Sequence, residues 1–467
     1  MRPWMAMLVL AAVAGAGPAR ARSHDHHKRR GFHALSHPGP IEPEMRAALE
    51  ALRGGDARLC TLAVDRLHQG GWSSSRQRLV GEEAFPELGW GPVKAPAVIG
   101  VLGDALADPR PCVRRAAATW LGDSPAPEAL NKLVAGLRSA AATTREAAAY
   151  GLGIHGDGAG REGLLAALRD GTPAVASTAA WALGQSEDPR NTPALKGALA
   201  HPEPAVRRAA AEALGESEDG AAVDALLARR EDPDASVREA VASALGDIED
   251  RRAVPALLGL ATDRSSQVRA TALQALARME DPAALEVAGK ALSDSLPEVR
   301  LAALHALASM GDARALPALS SALADTVPEI RADAARALGR LEDPRAAPAL
   351  SRAVKDAVPE VRVVVVEALG ELEGLGTAPA ALLDASRDAE ADVRTAAAEA
   401  LRGFSRDEAA AKRLAALVRD PDRDVRRAAA ESLVHLESAE ARAALRAALG
   451  DADIQVRRAA ARGLGRD

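Results

Sequence analysis

Apolar and polar positions repeat along the chain with a period of 31 residues. The repeating pattern is a Val-Arg pair, or a close variant of it, followed by Ala-rich residues and a Leu. The first residue of the pair, called the anchor below, recurs twelve times, and a degraded thirteenth copy is anchored at Leu59. So many nearly equal steps predict a repeat architecture rather than three separate globular domains. The twelve anchors are Val113, Thr144, Val175, Val206, Val237, Val268, Val299, Ile330, Val361, Val393, Val425 and Val456.

Each copy predicts two helices, which we call helix A and helix B. In one copy, Asp343 and Pro344 favour the start of helix A, because Asp caps free backbone amides and Pro fits the first helical turn. Residues 344–355 then place apolar side chains at helical spacing. Helix B contains the anchor, and its apolar positions are the anchor, +4 and +8, counted from the anchor. The sequence therefore predicts a helical hairpin in every copy.

The ends of helix B carry signals of their own. Pro stands two residues before the anchor in six copies, at positions 111, 173, 204, 297, 328 and 359. Four other copies have a capping residue one position earlier: Asp234, Ser265, Asp422 and Asp453. The Gly after the Leu at +8 predicts a left-handed C-cap at Gly215, Gly246, Gly339 and Gly370. The run Val363–Val366 favours a strand by itself, yet its register with the neighbouring copies predicts a helix.

One helical hairpin is too small to bury its own apolar stripe, so the hairpins must stack, each one touching its neighbours. The composition agrees, since 48% of the residues are hydrophobic but only 2% are aromatic. Small Ala side chains allow helices to approach closely without large rings. The sequence predicts one all-α solenoid of about 13 hairpins over residues 41–467, with an insertion at residues 68–93.

The unit from Asp232 to Gly246 reads Asp-Pro-x-x-x-Val-Arg-x-Ala-x-x-x-Ala-Leu-Gly. It resembles the HEAT-like repeat of the phycobilisome-lyase type, and the resemblance implies a right-handed α-solenoid. It also implies that an Asp at −5 and an Arg at +1 form a ladder between neighbouring repeats rather than a set of catalytic pairs. The Asp residues are Asp108, Asp170, Asp232, Asp263, Asp294, Asp325, Asp356, Asp388, Asp420 and Asp451. The Arg residues are Arg114, Arg145, Arg207, Arg238, Arg269, Arg300, Arg331, Arg362, Arg394, Arg426 and Arg457.

The N-terminus is typical of an export signal. Arg2 precedes an apolar stretch from Trp4 to Gly17 that is too short to span a bilayer, and residues 19–21 fit a small-x-small cleavage site. We therefore expect a signal peptide at residues 1–21 and a periplasmic or secreted protein; the alternative is an uncleaved N-terminal anchor. A His-rich, flexible segment is predicted at residues 22–40. Its His24, His26 and His27 are weak candidates for metal binding.

Cys60 and Cys112 are the two cysteines of the chain. An oxidising compartment would allow them to pair, but the sequence does not show whether their Cα atoms come within bonding distance. The sequence leaves both possibilities open: a disulfide between the two cysteines, or two free thiols.

Motifs with defined chemistry point away from catalysis. Gly151-Leu-Gly-Ile-His-Gly156 matches G-x-G-x-x-G, but a helix rather than a strand is predicted before it, so a dinucleotide site is disfavoured. The sequence contains no H-E-x-x-H, C-x-x-C or G-x-S-x-G motif, and no His-Glu pair of the kind that HEAT-type hydroxylases use for iron. No catalytic residue and no cofactor is predicted.

The few aromatic residues crowd one end of the repeat array. Tyr150 and Trp181 both stand at +6, where later copies have polar residues, and Trp120 stands at +7. Trp72, Phe85 and Trp90 lie in the insertion. These six residues predict either a contact surface for a partner protein or a cap in which the insertion folds onto the rings.

The sequence therefore favours a non-catalytic scaffold that binds another protein and is exported. An enzyme of the lyase or hydroxylase types that share this repeat is the alternative. Nucleic-acid binding is disfavoured, because the net charge is −6 and no basic stripe is evident.

Overall fold

The computed structural model describes residues 40–54, 92–158, 160–186, 188–436 and 438–465. Over these residues the chain is all-α and contains twenty-five α-helices. The helices are α1 (Glu42–Gly54), α2 (Pro96–Ala105), α3 (Pro111–Gly122), α4 (Pro127–Gly136), α5 (Ala142–His155), α6 (Arg161–Ala167), α7 (Pro173–Gly184), α8 (Thr192–Ala198), α9 (Pro204–Glu216), α10 (Val223–Leu227), α11 (Ala235–Ile248), α12 (Val254–Leu260), α13 (Ser266–Arg278), α14 (Ala284–Ala291), α15 (Pro297–Met310), α16 (Leu316–Ala322), α17 (Pro328–Arg340), α18 (Ala347–Ala353), α19 (Pro359–Glu371), α20 (Ala380–Ala385), α21 (Ala391–Leu401), α22 (Glu408–Leu417), α23 (Arg423–Leu433), α24 (Ala439–Ala448) and α25 (Ile454–Leu464).

The odd-numbered helices from α3 to α25 are the twelve B helices, and each contains one anchor. The even-numbered helices from α2 to α24 are the A helices. Consecutive B helices pack closely on one another, except for α15 and α17, whereas most consecutive A helices touch less. In HEAT-like arrays the more tightly packed layer of B helices is expected to line the concave side, and the surface of the B helices that faces away from the A helices is called the concave face below. The Leu59 copy and most of the insertion lie outside the described residues.

The core is one continuous column of small and branched side chains. All twelve anchors are buried, and so are eleven of the twelve Leu side chains at +8, the last one being half-buried. The β-branched run Val363–Val366 lies inside α19, so the register of the repeat prevails over the local strand preference, as predicted. Each unit buries its stripe against its neighbours, which is how a solenoid obtains a core.

The glycines at +9 are not left-handed C-caps, and that prediction is wrong. Gly215, Gly246, Gly339 and Gly370 all lie inside B helices. A Cβ atom on Gly246 would stand 2.5 Å from the Ala275 Cβ, and one on Gly370 would stand 2.5 Å from the Ala400 Cβ. Glycine is needed there because the next B helix crosses directly over it.

The left-handed residue stands three positions later, at +12. Gly156 and Gly311 fill it with φ of 65° and 58°, which glycine adopts without strain. Glu218, Glu249, Glu280 and Glu342 fill the same position in other units, with φ between 48° and 55°. In these six units the chain after helix B therefore turns at the same repeat position, whether Gly or Glu stands there.

Most predicted N-caps are confirmed. The Asp343 carboxylate accepts a hydrogen bond from the Arg345 amide at 2.9 Å and opens a short 3-10 turn before α18. Asp234, Asp422 and Asp453 cap their B helices in the same way. Ser265 is the exception, since its hydroxyl donates to the Gln267 side chain instead of accepting from the helix.

An Asp–Arg ladder links neighbouring units, as the resemblance implies. Arg238 donates from Nε and Nη2 to the two carboxylate oxygens of Asp263 at 2.7 and 2.8 Å, while its Nη1 donates to the Asp232 carbonyl oxygen of its own unit at 2.8 Å. Such two-pronged, charge-assisted contacts are stronger than ordinary hydrogen bonds. Nine rungs have this form: Arg145–Asp170, Arg207–Asp232, Arg238–Asp263, Arg269–Asp294, Arg300–Asp325, Arg331–Asp356, Arg362–Asp388, Arg394–Asp420 and Arg426–Asp451.

The rungs lower the pKa of their carboxyl groups. In Asp325 the hydrogen bond from Arg300 lowers the pKa more than burial raises it. Burial is the largest influence on Asp232 and raises its pKa, but hydrogen bonds from Arg207 and from the Asp234 amide outweigh it, so the pKa falls below its ordinary value. The ladder is therefore ionised at neutral pH.

Two junctions near the N-terminal end lack a rung. Ser139 and His201 replace the Asp, and in the second case Ala176 also replaces the Arg. Ser139 Oγ and His201 Nδ1 still accept the backbone amide two residues ahead, at 3.2 and 3.1 Å, as the Asp side chains do. The local turn is thus kept at these junctions, but the cross-unit ion pair is lost.

Candidate binding surface

A column of side chains crosses the rung-poor junction between α3 and α5. The rings of Tyr150 and Trp181 stack at 5.2 Å with an interplanar angle of 15°, and the Arg115 guanidinium lies 3.5 Å from the Tyr150 ring centroid. Arg115, Tyr150 and Trp181 belong to α3, α5 and α7, so the column links three consecutive units. Ring stacking and cation–π contacts of this kind stabilise a structure by about 0.5–1.5 kcal/mol each.

Tyr150 is not the exposed residue that its repeat position suggests, because only 5% of its surface is accessible. Trp181 and Trp120 are half-buried. Tyr150 therefore supports its neighbours and does not itself offer a ring to a partner. Arg115, which sequence reasoning overlooked, covers one face of that ring.

The G-x-G-x-x-G match lies in and directly after α5 rather than in a strand-to-helix turn. A Cβ atom on Gly153 would stand 2.4 Å from the Trp181 ring, and one on Gly151 would stand 2.8 Å from the Ala118 carbonyl oxygen. Gly156 is the left-handed residue after the helix. Helix packing and helix termination account for all three glycines.

Several sequence-predicted residues lie outside the described residues, and their roles stay predictions. Cys112 is half-buried at the start of α3, but Cys60 is among the residues that are not described, so their pairing is untested. The others outside are Trp72, Phe85, Trp90, His24, His26 and His27.

The concave face differs from unit to unit while the core does not. Position +8 is Leu in all twelve units, whereas position +6 holds eight residue types. The residues at +6 are Thr119, Tyr150, Trp181, Glu212, Ser243, Gln274, His305, Arg336, Glu367, Glu399, Glu431 and Arg462. From Gln274 onward all of them are exposed. The predicted solvent face of helix B is thus confirmed for the last seven of the twelve units.

Charged residues of both signs interact along this face. Although Glu367 is exposed, neighbouring atoms partly shield its carboxylate from water and raise its pKa; Arg336 opposes the rise, and the nearby Glu399 and Glu371 carboxylates add to it. Burial also raises the pKa of Glu212. Asp333 behaves oppositely: burial raises its pKa, but His305 and Arg336 outweigh burial and lower it.

A shallow depression of about 140 Å³ lies between α17 and α19 and is lined by Arg336, Arg340, Val364, Glu367, Ala368 and Glu371. Small-molecule sites are typically several hundred Å³ and largely enclosed. The geometry suits side chains of a partner better than a buried ligand.

In the described parts of the chain, no group of three or more His, Cys, Asp and Glu residues is placed to hold a metal ion. No helix of that same part is long and apolar enough to cross a bilayer.

Comparison with known proteins identifies the repeat. The model of the HEAT-repeat family matches residues 87–153, 161–246, 193–270, 223–295, 254–333, 317–402 and 410–466. No curated protein matches the sequence. Among solved structures, importin beta superposes with a TM-score of 0.56 at 15% identity, over 87% of this chain and 64% of importin beta, and this likeness shows the fold alone.

Two enzymes share local similarity. The phycocyanin lyase complex of a Nostoc species matches with 24% identity and a TM-score of 0.34, over 52% of this chain and 94% of that one. Human deoxyhypusine hydroxylase matches with 24% identity and a TM-score of 0.26, over 52% of this chain and 96% of that one. The matches to the family model span most of the array, and the chain belongs to the HEAT-repeat family.

Proposed function

We propose that this protein is a non-catalytic, protein-binding scaffold that acts outside the cytoplasm, and that its partner docks on the concave face. The observation that carries the proposal is the contrast between an invariant Leu at +8 and eight residue types at +6. Packing alone would tolerate the same polar residue in every unit. A row in which each unit presents a different side chain is suited to recognising one particular surface.

The residues that could be mistaken for catalytic pairs have another use. Asp and Arg recur in nearly every unit, and nine such pairs bridge neighbouring units through two hydrogen bonds each. A feature repeated along the array supports an architectural role. A chromophore or iron that co-purifies with the protein would instead favour the lyase or hydroxylase alternative.

The contact with the partner is proposed for the +6 row rather than for the six aromatic residues as a set. Tyr150 is buried, whereas Trp120 and Trp181 keep part of their surface accessible. These two rings can contribute to a contact surface, since Trp is enriched among the anchor residues of protein interfaces.

Site-specific photo-crosslinking tests the docking face. A photoreactive residue replaces Gln274 on the concave face or, as the matched control, the exposed Ser321 on an A helix. We expect one protein partner to be captured from Gln274 and not from Ser321, with excess unmodified protein competing. Equal capture at both positions, or none at either, would contradict the proposal.

Export is proposed from residues 1–21 and is tested separately. N-terminal sequencing of protein recovered from the envelope or medium is expected to start at Arg22. Recovery of the intact N-terminus from the cytoplasm would contradict export without touching the docking face.

A further inference from the structure

Three consecutive B helices carry a concave face unlike that of most other units. At position +2, α15, α17 and α19 present Leu301, Ala332 and Val363, and Ala270 precedes them in α13. Every other unit has a polar or charged residue there: Arg115, Glu146, Ser177, Arg208, Glu239, Thr395, Arg427 and Arg458. Leu301 and Val363 are half-buried, so part of each side chain remains accessible, whereas Ala332 between them is buried. An apolar row with two partly accessible side chains and a small buried one between them therefore runs across these three units.

A row of carboxylates flanks the apolar row. Glu298, Glu329 and Glu360 stand at −1, three residues before +2, and so lie on the same face of their helices. All three are exposed, and in the described structure none of them forms an ion pair. Acidic residues favour the first turn of any helix. However, the first six B helices have uncharged residues at −1, so the fold does not require a carboxylate there.

The charges on the other side of the apolar row compensate one another. Arg336 and Arg340 share the depression between α17 and α19 with Glu367 and Glu371. Arg336 also pairs with Asp333. The carboxylate row is therefore the uncompensated charge of this surface, and it favours a cationic partner.

The spacing of the units favours one backbone conformation in a partner segment that lies along the solenoid axis. A Cβ atom on Gly339 would stand 3.0 Å from the Ala368 Cα, so α17 and α19 approach about as closely as helices can, whereas α15 and α17 pack less tightly. Helix axes in such contact are about 8–10 Å apart. A polyproline II segment advances about 9 Å per three-residue turn. A segment in that conformation, lying along the solenoid axis, would set one side chain of every three against each successive unit.

We propose that the concave face of α15, α17 and α19 binds an extended, polyproline II-like segment of the partner protein. This segment has an aliphatic residue at every third position, facing Leu301, Ala332 and Val363, and Lys or Arg residues facing the carboxylate row. The inference rests on the proposed function and adds to it the chemistry of the partner and the units that bind it.

Synthetic peptides test the register. The probe is a fluorescent peptide in which Val-Lys-Pro is repeated four times. One control has the same composition with the Val residues at irregular spacing, and the other has Glu in place of Lys. Fluorescence anisotropy with the full chain is expected to show binding of the first peptide at least tenfold tighter than of either control. Its affinity should fall as salt rises, because the charge pairs are exposed.

Two matched triple variants test the surface. E298Q/E329Q/E360Q removes the carboxylate row, and E286Q/E408Q/E440Q removes three exposed carboxylates from the A helices. Exposed pairs contribute a few tenths of a kcal/mol each, so the first variant should bind the in-register peptide about tenfold more weakly. The control variant should bind it as the unmodified protein does.

Equal binding of the regular and irregular peptides by the unmodified protein would overturn the inference, and this arm does not depend on any variant folding. So would equal affinities of the two triple variants. If crosslinking at Gln274 still captured a partner, the proposed function would stand and only the class of segment would be wrong. If that capture failed too, the docking face itself would be wrong.

Discussion

At the scale of single residues, close approach between helices decides which side chains are tolerated. Gly246 lies inside α11, where alanine would ordinarily stabilise a helix by about 1 kcal/mol. Here the added Cβ would stand 2.5 Å from the Ala275 Cβ. We expect G246A to lower the free energy of unfolding by about 1–3 kcal/mol, the range typical of an overpacked core, as measured by urea denaturation.

Gly289 provides the matched control for this substitution. It lies in the middle of α14, and a Cβ atom there would stand 3.7 Å from the Ala318 Cβ, an ordinary van der Waals distance. We expect G289A to raise the free energy of unfolding by up to about 1 kcal/mol, because helix propensity acts alone. Changes of the same sign in both variants would contradict the explanation of the +9 glycines.

These glycines also show where sequence reasoning stops. A Gly after the last Leu of an amphipathic pattern is the ordinary signal of a C-cap. The helix runs on past it because the Gly makes room for an Ala of the next unit, for example Ala275 against Gly246. That contact joins residues from different units, and nothing in the local pattern of one unit reports it.

At the scale of helices, the aromatic column links three units, and its cation–π contact crosses the junction between α3 and α5 that lacks a rung. Tyr150 is buried between Trp181 and Arg115, so Y150S removes both the stack and the cation–π contact and leaves a cavity. Truncating a buried aromatic side chain costs about 3–5 kcal/mol. We expect Y150S to lower the free energy of unfolding by about 2–4 kcal/mol, since some of the space can collapse.

Q274S is the control, because Gln274 occupies the same repeat position but is exposed. Its stability should stay within about 0.5 kcal/mol of the unmodified protein. Unchanged stability of Y150S would mean that the ring is free for a partner after all.

The units and their order could be predicted from the sequence because a 31-residue period constrains every copy at once. Tyr150 could not be placed by the same logic. Its repeat position is polar and exposed in later units, but Gly151 and Gly153 open space on α5 and Arg115 covers the ring from α3. The apolar row at +2 was within reach, since aligning the twelve units position by position shows it directly.

The contribution of a rung can be tested by building one at the junction between α7 and α9, where it is missing. A176R alone would place a guanidinium in a buried position opposite His201, so it should destabilise the protein. H201D supplies the carboxylate and retains an acceptor for the Glu203 amide. In the double variant we expect a favourable coupling energy of about 1 kcal/mol, measured as a double-mutant cycle of unfolding free energies. A coupling energy of zero would show that the rung does not stabilise this junction.

At the scale of the whole molecule, the ladder makes the free energy of unfolding depend on pH in the acidic range. Nine carboxylates are held by Arg across successive units, and those of Asp325, Asp356 and Asp170 have a lowered pKa chiefly because of that hydrogen bond. A group whose pKa is lower in the folded chain stabilises the fold above its unfolded pKa, about 3.9 for Asp. This stabilisation is lost as the pH falls through the folded pKa.

Two glutamates of the concave face change the stability in the opposite direction to the ladder: they make the protein more stable as the pH falls. Burial raises the pKa of Glu212 and of Glu367, so their ionised forms destabilise the folded chain at neutral pH. Protonation relieves this cost as the pH falls through the raised folded pKa. The free energy of unfolding should therefore rise slightly as the pH falls from neutral toward the ordinary pKa of Glu, about 4.3, and then fall steeply below about 4 as the ladder protonates.

Urea denaturation between pH 7 and pH 2.5 measures both effects. E212Q/E367Q is expected to flatten the slight rise and to leave the steep fall in place, because it keeps every rung.

Conversely, D325N, which removes one ladder carboxylate, should be less stable at neutral pH and should show a smaller loss below pH 4. A fall of equal size in D325N and in the unmodified protein would mean that protonation of Asp325 does not contribute to the loss of stability in acid.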